Sequence, residues 1–284
     1  MNLCRFSNRN SPMRVGLVEG DIVTDLSAEG ATSVTALLES PHIPDAVNRI
    51  LRRHPRRLAI GDVRLLSPVD RQEVWAVGVT YLRSKTARME ESDFSARAYN
   101  HVYDAPRPEL FFKSLPEKVS GPGEPVGIRT DAKWNVPEPE LALVMNSRAE
   151  LVGFTVGNDM SSRDIEGENL LYLPQAKIYE RSCALGPWIT TGVTEAAVRD
   201  WTIGVTIERE QKPVFQGEIA ISQIKRSFSE LIGWLYRSQK FPFGTVLLTG
   251  TGVVPGNDFT LAPADRVRIR ISGIGELVND VAVV

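Results

Sequence analysis

Trp134-Asn135-Val136-Pro137-Glu138-Pro139-Glu140-Leu141-Ala142-Leu143-Val144 is the stretch whose reading decides the fold and places the candidate chemistry. A proline disfavours the helical region for the residue before it, so Val136 and Glu138 are driven to extended geometry. Glu138 and Glu140 then stand two apart on a strand and project to one face. Leu141, Leu143 and Met145 take the other face, which reads as core. The polar group Asn146-Ser147-Arg148-Ala149-Glu150 follows as a turn, and Leu151-Val152-Gly153-Phe154-Thr155-Val156 returns as a second strand.

A turn centred between Arg148 and Ala149 sets Glu140 opposite Gly157 and Glu138 opposite Asp159, although Ala149 is an imperfect residue for a tight turn. Three carboxylates at one point repel unless a cation lies between them. Oxygen-only ligands of this kind favour Mg²⁺, with Mn²⁺ or Ca²⁺ as further possibilities, over zinc. The plainer alternative is a solvated strand face for Glu138 and Glu140 and a helix cap for Asp159.

Outward from this hairpin, residues 69–284 are rich in short extended runs broken by glycine and proline. Strands are expected at 75–79, 110–113, 140–145, 151–156, 188–191, 202–208, 245–248, 267–271 and 278–283, with one helix at 229–236. With 22 Gly and 18 Pro in the chain, this is a mainly β (α+β) pattern. Residues 1–68 read as a small N-terminal α+β domain of their own. In it Glu19-Gly20-Asp21 joins two extended runs as a hairpin, Ser33 caps a short helix, and Ile43, Val47, Ile50 and Leu51 recur at helical spacing. Arg49, Arg52, Arg53, Arg56 and Arg57 form the one dense basic patch. On a chain of net charge −2 it reads as a solvated helix face rather than a nucleic-acid contact.

The 284 residues are 42% hydrophobic and 24% charged, an ordinary globular composition. No apolar run approaches the ~20 residues of a spanning helix, and the N-terminus lacks the apolar core of a secretory signal, so a cytoplasmic address is expected. Cys4 and Cys183 are too few for a disulfide framework, and His42, His54 and His101 are scattered, so a metal would be held by oxygen. Dinucleotide, phosphate-loop and nucleophile-elbow motifs are missing from the sequence.

The ordered motifs Glu138-Pro139-Glu140-Leu141-Ala142, Gly157-Asn158-Asp159-Met160-Ser161-Ser162-Arg163-Asp164, Gln175-Ala176-Lys177 and Leu248-Thr249-Gly250-Thr251 resemble the fumarylacetoacetate hydrolase superfamily over most of residues 70–284. That resemblance implies a mixed β-sandwich roll, a divalent metal on Glu138, Glu140 and Asp159, and a homodimer or homotetramer. By position it sets Arg163, Lys177 and Thr251 around a substrate pocket. Hydrolases and decarboxylases of the superfamily carry a Gly-x-Asn-Tyr-x-x-His-x-x-Glu segment whose His and Glu activate water. The matching run here is Gly78-Val79-Thr80-Tyr81-Leu82-Arg83-Ser84-Lys85-Thr86-Ala87. Ser84 and Ala87 stand where the His and Glu would be, and neither is a base for water. Tyr81 and Ser84 of this run are expected at the substrate.

Tyr103-Asp104-Ala105-Pro106-Arg107-Pro108-Glu109-Leu110-Phe111-Phe112-Lys113 and Ile165-Glu166-Gly167-Glu168-Asn169 resemble, more narrowly, the branch that dehydrates 2-keto-3-deoxy sugar acids. Its members act on 2-keto-3-deoxy-D-arabinonate, also reached from D-xylonate in pentose catabolism, and yield 2,5-dioxopentanoate. The expected partner is thus a small-molecule 2-keto acid. Its carboxylate and C2 carbonyl can chelate a Lewis-acidic metal while protons move at C3 and at the C4 hydroxyl. The resemblance names Glu109 and Lys177 as the acid–base pair, with their order open. Lys113 shares a strand face with Glu109 and Phe111 and is expected to border the pocket or to form a structural ion pair. Residues 81–108, dense in charge, read as a mobile lid or helix. An acylpyruvate hydrolase, an oxaloacetate decarboxylase and a catalytically silent metal-binding or assembly subunit stay open as alternatives.

Overall fold

A computed structural model describes residues 1–8, 13–81 and 102–284. The strands, in chain order, are β1 (Asn2–Ser7), β2 (Arg14–Glu19), β3 (Ile22–Asp25), β4 (Arg57–Ala59), β5 (Arg64–Leu66), β6 (Glu73–Gly78), β7 (Glu109–Ser114), β8 (Val126–Ile128) and β9 (Asn135–Val136). They continue with β10 (Pro139–Met145), β11 (Leu151–Asp159), β12 (Ser161–Ser162), β13 (Cys183–Thr190), β14 (Thr202–Arg209), β15 (Lys212–Ala220), β16 (Thr245–Leu248), β17 (Arg266–Ile271) and β18 (Gly275–Val283). The α-helices are α1 (Val34–Leu38), α2 (Ile43–Leu51), α3 (Arg163–Glu168), α4 (Leu173–Lys177), α5 (Glu195–Arg199) and α6 (Phe228–Leu235).

Two mixed sheets face one another. The larger runs β4-β3-β2-β1-β13-β11-β10-β16-β6-β7, with β5 also on β1, and the smaller runs β15-β14-β17-β18-β8. Between them lies the main core: Leu141, Leu143, Phe154 and Val156 meet Ile203, Val205, Ile269 and Leu277, and α6 adds Phe228, Leu231 and Leu235. On the far face of the large sheet Ala142, Val144, Val246 and Leu248 join a second core with Leu3, Leu17, Val34, Leu38 and Val47. A strand buried on both faces needs apolar residues at every position beyond its polar end, which accounts for the unbroken run Leu141-Ala142-Leu143-Val144-Met145.

The hairpin register follows the sequence expectation. Glu140 pairs with Gly157 and Val144 with Gly153, and the register shifts only between Val144 and Met145. The turn closes because the Asn146 side chain accepts from the Arg148 amide at 3.0 Å, which lets Ala149 take its left-handed φ of +62°. In the N-terminal segment the β2–β3 hairpin turns at Gly20, Ser33 caps α1 on the Ala36 amide, and the five arginines are exposed. That segment continues the large sheet, since Asn2 and Leu3 pair with Thr190 and Ile189 of β13.

Several elements go beyond the sequence expectation, among them β1, the short strands β4, β5, β8, β9 and β12 and the short helices α3, α4 and α5, and two strands of the sheets differ from it in an informative way. The strand expected at 188–191 spans Cys183–Thr190: Gly186-Pro187 reads as punctuation, but a register shift on the facing strand between Phe154 and Val156 absorbs it. Lys212–Ala220 is a strand that the sequence pattern does not announce. It lies at a sheet edge, mostly solvated, so it carries no apolar alternation, and an edge tolerates Pro213. Among the described residues no helix is long and apolar enough to cross a membrane.

Candidate active site

The polar end of the β10–β11 hairpin carries the site. Glu138 lies just before β10, where its carbonyl accepts from the Asp159 amide at 3.0 Å and its own amide donates to the Asn158 side chain at 3.2 Å. Those bonds carry the pairing one step past the strand and set Glu138 beside Asp159. Carboxylate oxygens of Glu138, Glu140 and Asp159 lie within 4.8 Å of one another. All three residues are buried, at 3%, 1% and 2% exposure, which excludes the solvated strand face.

Three cations from separate elements converge on these carboxylates. Lys177, the last residue of α4, places its Nζ 2.6 Å from Glu138 Oε2 and 3.3 Å from Asp159 Oδ2. Arg163 opens α3, and pairing of Ser161 and Ser162 with Val136 and Asn135 brings it to Glu138, where Nη2 donates to Oε1 at 2.9 Å. Lys113 Nζ pairs with Asp159 Oδ1 and donates to the carbonyls of Met160, at 3.0 Å, and Lys177. Burial lowers the Lys113 pKa, against the pull of Asp159, which raises it. Of the two expectations for Lys113, the ion pair is the arrangement found.

Glu140 sits on the other side of the group. Its Oε2 accepts from the Gly250 amide at 2.6 Å. Burial, then the charges of Asp159 and Glu138, push its pKa well above the usual carboxylate range, with Lys177 opposing. Three buried carboxylates converging on one point, one of them disfavoured as an anion, fit a hard divalent cation that removes the repulsion. Gly250 is needed for this contact. Its φ is +86°, and a Cβ there would lie 2.4 Å from Thr80 Oγ1 and 2.9 Å from the Val77 carbonyl oxygen. Gly250→Ala is therefore expected to cost ~1–3 kcal/mol of stability and to weaken Mg²⁺ binding as the Glu140 donor shifts, as chemical denaturation and metal titration would show.

A cleft opens onto the carboxylates, lined by Val77, Gly78, Val79, Glu109, Phe111, Glu138, Glu140, Asp159, Glu166, Leu173, Lys177, Gly250 and Thr251. Glu109 faces Gly78 across the β6–β7 pair. A Cβ at Gly78 would lie 2.0 Å from Glu109 Oε2, so the missing side chain is what lets this carboxylate lie across β6 toward the cleft. Thr251 exchanges hydrogen bonds with the Val253 backbone, at 3.2 and 3.4 Å.

The expected site residues separate into two groups. Glu138, Glu140, Asp159, Lys177, Glu109 and Thr251 line one cleft, whereas Arg163, Lys113 and Tyr81 are not among its lining residues. Arg163 and Lys113 engage the carboxylates as described, and Tyr81 is fully buried in the main core, its ring within reach of a Cβ placed on Gly252. Ser84 and most of the expected lid lie outside the described residues, which exclude 82–101. The described end of that segment is tied down: Lys225 Nζ holds the Tyr103 carbonyl and Asp104 Oδ1, both at 2.7 Å, and Arg226 holds the Ala105 carbonyl at 2.5 Å. Sequence reasoning assigns no role to Glu166, which lines the cleft at 2% exposure. Its signal is an acidic side chain three residues after Arg163, on the same helix face.

This fold and this carboxylate centre define the fumarylacetoacetate hydrolase family, and the chain belongs to it: the family model described as fumarylacetoacetate (FAA) hydrolase C-terminal matches residues 73–282. The chain is 47% identical over 217 residues to a probable 2-keto-3-deoxyxylonate dehydratase of Haloferax volcanii, covering 76% of this chain and 74% of that one. It is 40% identical over 227 residues to the 2-dehydro-3-deoxy-D-arabinonate dehydratase of Saccharolobus solfataricus, covering 78% and 76%. A solved structure of 2-keto-3-deoxy-D-arabinonate dehydratase complexed with magnesium and 2,5-dioxopentanoate superposes with a TM-score of 0.83 at 32% identity, over 100% of this chain and 99% of that one.

Proposed function

We propose that this chain dehydrates a 2-keto-3-deoxypentonate, 2-keto-3-deoxy-D-arabinonate or the same acid reached from D-xylonate, to 2,5-dioxopentanoate, with Mg²⁺ on Glu138, Glu140 and Asp159. The observation that carries the reading is the cleft in which Lys177 and Glu109 flank that carboxylate group. The dehydratase relatives support it, as does the lack of a water-activating His and Glu at Ser84 and Ala87.

A bound divalent cation supplies a Lewis acid for the 2-keto acid group, which makes the C3 protons acidic. The chain's own groups then move protons. One of Lys177 and Glu109 takes a proton from C3, the C4–O bond breaks, and the other gives a proton to the departing hydroxyl, which leaves as water. The C3=C4 alkene still carries a C5 carbinol. C5 loses a proton, C3 regains one, and the C4=C5 enol passes its hydroxyl proton to C4, so the net change is loss of one water and an aldehyde at C5. None of these transfers needs an activated water, which is why Ser84 and Ala87 are compatible with dehydration and not with C–C bond hydrolysis. Lys177 and Glu138 form a buried pair that holds the lysine in one position at the cleft.

Arg163, Lys113, Thr251 and Ser84 are proposed to support substrate binding, the first two by orienting Glu138 and Asp159, and Tyr81, which lies in the core and not at the cleft, only through its packing against Gly252. Residues 1–68 are proposed as a supporting domain, since none of them lines the cleft. A homo-oligomer, dimer or tetramer, working in the cytoplasm completes the proposal. Incubating Mg²⁺-loaded protein with 2-keto-3-deoxypentonates and with acylpyruvates tests the reading by product analysis. The expected product is 2,5-dioxopentanoate, and pyruvate release from acylpyruvates at equal or higher rates would replace dehydratase by hydrolase.

A further inference from the structure

We propose that Gly78 is a positioning residue for the reaction: by carrying no side chain it keeps open the space in which the Glu109 carboxylate reaches the cleft. This deepens the dehydratase reading and rests on the place of Glu109 in its proton-transfer pair. Gly78 ends β6 and stands opposite Glu109 in the antiparallel β6–β7 pair, with Ala76 opposite Phe111 two residues further along. Residues directly opposite one another on such strands send their side chains to the same face. The two smallest residues of β6 are thus set against Glu109 and Phe111. Gly78, Glu109 and Phe111 all line the cleft, and Lys177 Nζ lies 5.9 Å from the centre of the Phe111 ring. The Gly78–Glu109 pair is therefore the next step on the face where Lys177 stands.

The backbone itself does not ask for glycine at this position. Gly78 is a strand residue outside the left-handed region that holds Gly250, and glycine is a poor strand former. A Cβ placed on it would have three atoms of Glu109 as its nearest neighbours, Oε2 at 2.0 Å, Cδ at 2.9 Å and Cγ at 3.6 Å. The closest two are the far end of a flexible side chain, which can turn. The strands are not free to part instead. β7 is paired to β6 from Glu109 to Ser114, and the chain that enters it is fastened by Lys225 at the Tyr103 carbonyl and by Arg226 at the Ala105 carbonyl. A methyl group on residue 78 therefore leaves the fold in place and turns aside the carboxylate of Glu109, which is only half-buried. Ordinary van der Waals separation requires Oε2 to move by more than ~1 Å, and a misplacement of ~1 Å can cost ~10²-fold in rate.

The test compares four Mg²⁺-loaded proteins on 2-keto-3-deoxy-D-arabinonate: the parent, Gly78→Ala, Glu109→Ala and the double variant. Gly78→Ala should lose ~10²-fold or more in kcat, as Glu109→Ala should. Its Mg²⁺ dissociation constant and melting temperature should stay at the parent's values. The double variant should turn over no more slowly than Glu109→Ala, because no carboxylate is left to displace. A crystal structure of Gly78→Ala should show β6 and β7 unmoved and the Glu109 carboxylate turned away from residue 78. Turnover by Gly78→Ala within ~10-fold of the parent would overturn the proposal, since a lost acid or base costs more than that. So would a double variant slower than Glu109→Ala, because the methyl group would then be acting on the substrate or the fold directly. A Gly78→Ala chain that does not fold also overturns it, as the contact was not relieved by one flexible side chain. Full activity of Glu109→Ala removes Glu109 from the pair and the proposal with it. A parent that forms no 2,5-dioxopentanoate removes the dehydratase reading instead. The crystal structure then decides alone: a displaced Glu109 carboxylate upholds the part given to Gly78, and one in its parent position overturns it.

Discussion

Replacing Lys177 by Met should lower kcat for pentonate dehydration by ~10²- to 10⁴-fold, the usual contribution of one positioned acid or base. The physical basis is the position of its ammonium, 2.6 Å from Glu138 and 3.3 Å from Asp159 inside the cleft. The same change strips two buried carboxylates of a partner, a loss on the order of 3–5 kcal/mol for buried pairs. Metal-free Lys177→Met should therefore melt well below the parent, and added Mg²⁺ should raise its melting temperature by more than it raises the parent's. Steady-state rates and melting curves with and without Mg²⁺ check both parts. A variant turning over within ten-fold of the parent would remove Lys177 from the proton-transfer pair.

Glu140→Gln should abolish measurable turnover and weaken Mg²⁺ binding by at least ~10²-fold, since even partners one shell removed from a metal cost 10–100-fold. It should also change how stability depends on pH. In the metal-free chain burial and two neighbouring carboxylates raise the Glu140 pKa above its ordinary 4.5. The folded chain then binds a proton that the unfolded chain releases, so this group's contribution is complete below pH 4.5 and is lost as pH rises through the raised folded value. Parent protein without metal should lose melting temperature over that rise. Saturating Mg²⁺ should restore it, by ~2.7 kcal/mol at a hundred times its dissociation constant. Glu140→Gln should show neither the slope nor the rescue. A metal-free parent whose melting temperature climbs steadily from pH 5 to 8 would contradict the assignment.

Much of the carboxylate group is legible in the amino-acid sequence itself, because it depends on local rules. Proline before and after Glu138 enforces extension, alternation puts Glu138 and Glu140 on one face, and a turn at Arg148-Ala149 brings Asp159 opposite Glu138. Apolar spacing likewise marks α2 and most of the core strands, and β16 matches its expected bounds of 245–248. Lys177 is reached by resemblance to a family, and no local pattern announces it. Only the tertiary structure decides that Lys177 meets both Glu138 and Asp159 while Arg163 joins Glu138 and Lys113 joins Asp159, and that Glu166 turns into the cleft beside them. It also decides that the N-terminal strands extend the large sheet through β1 and β13. Periodicity records which face of an element avoids water. It holds no information on which distant charges will share a buried site, because that follows from the packing of whole elements against one another.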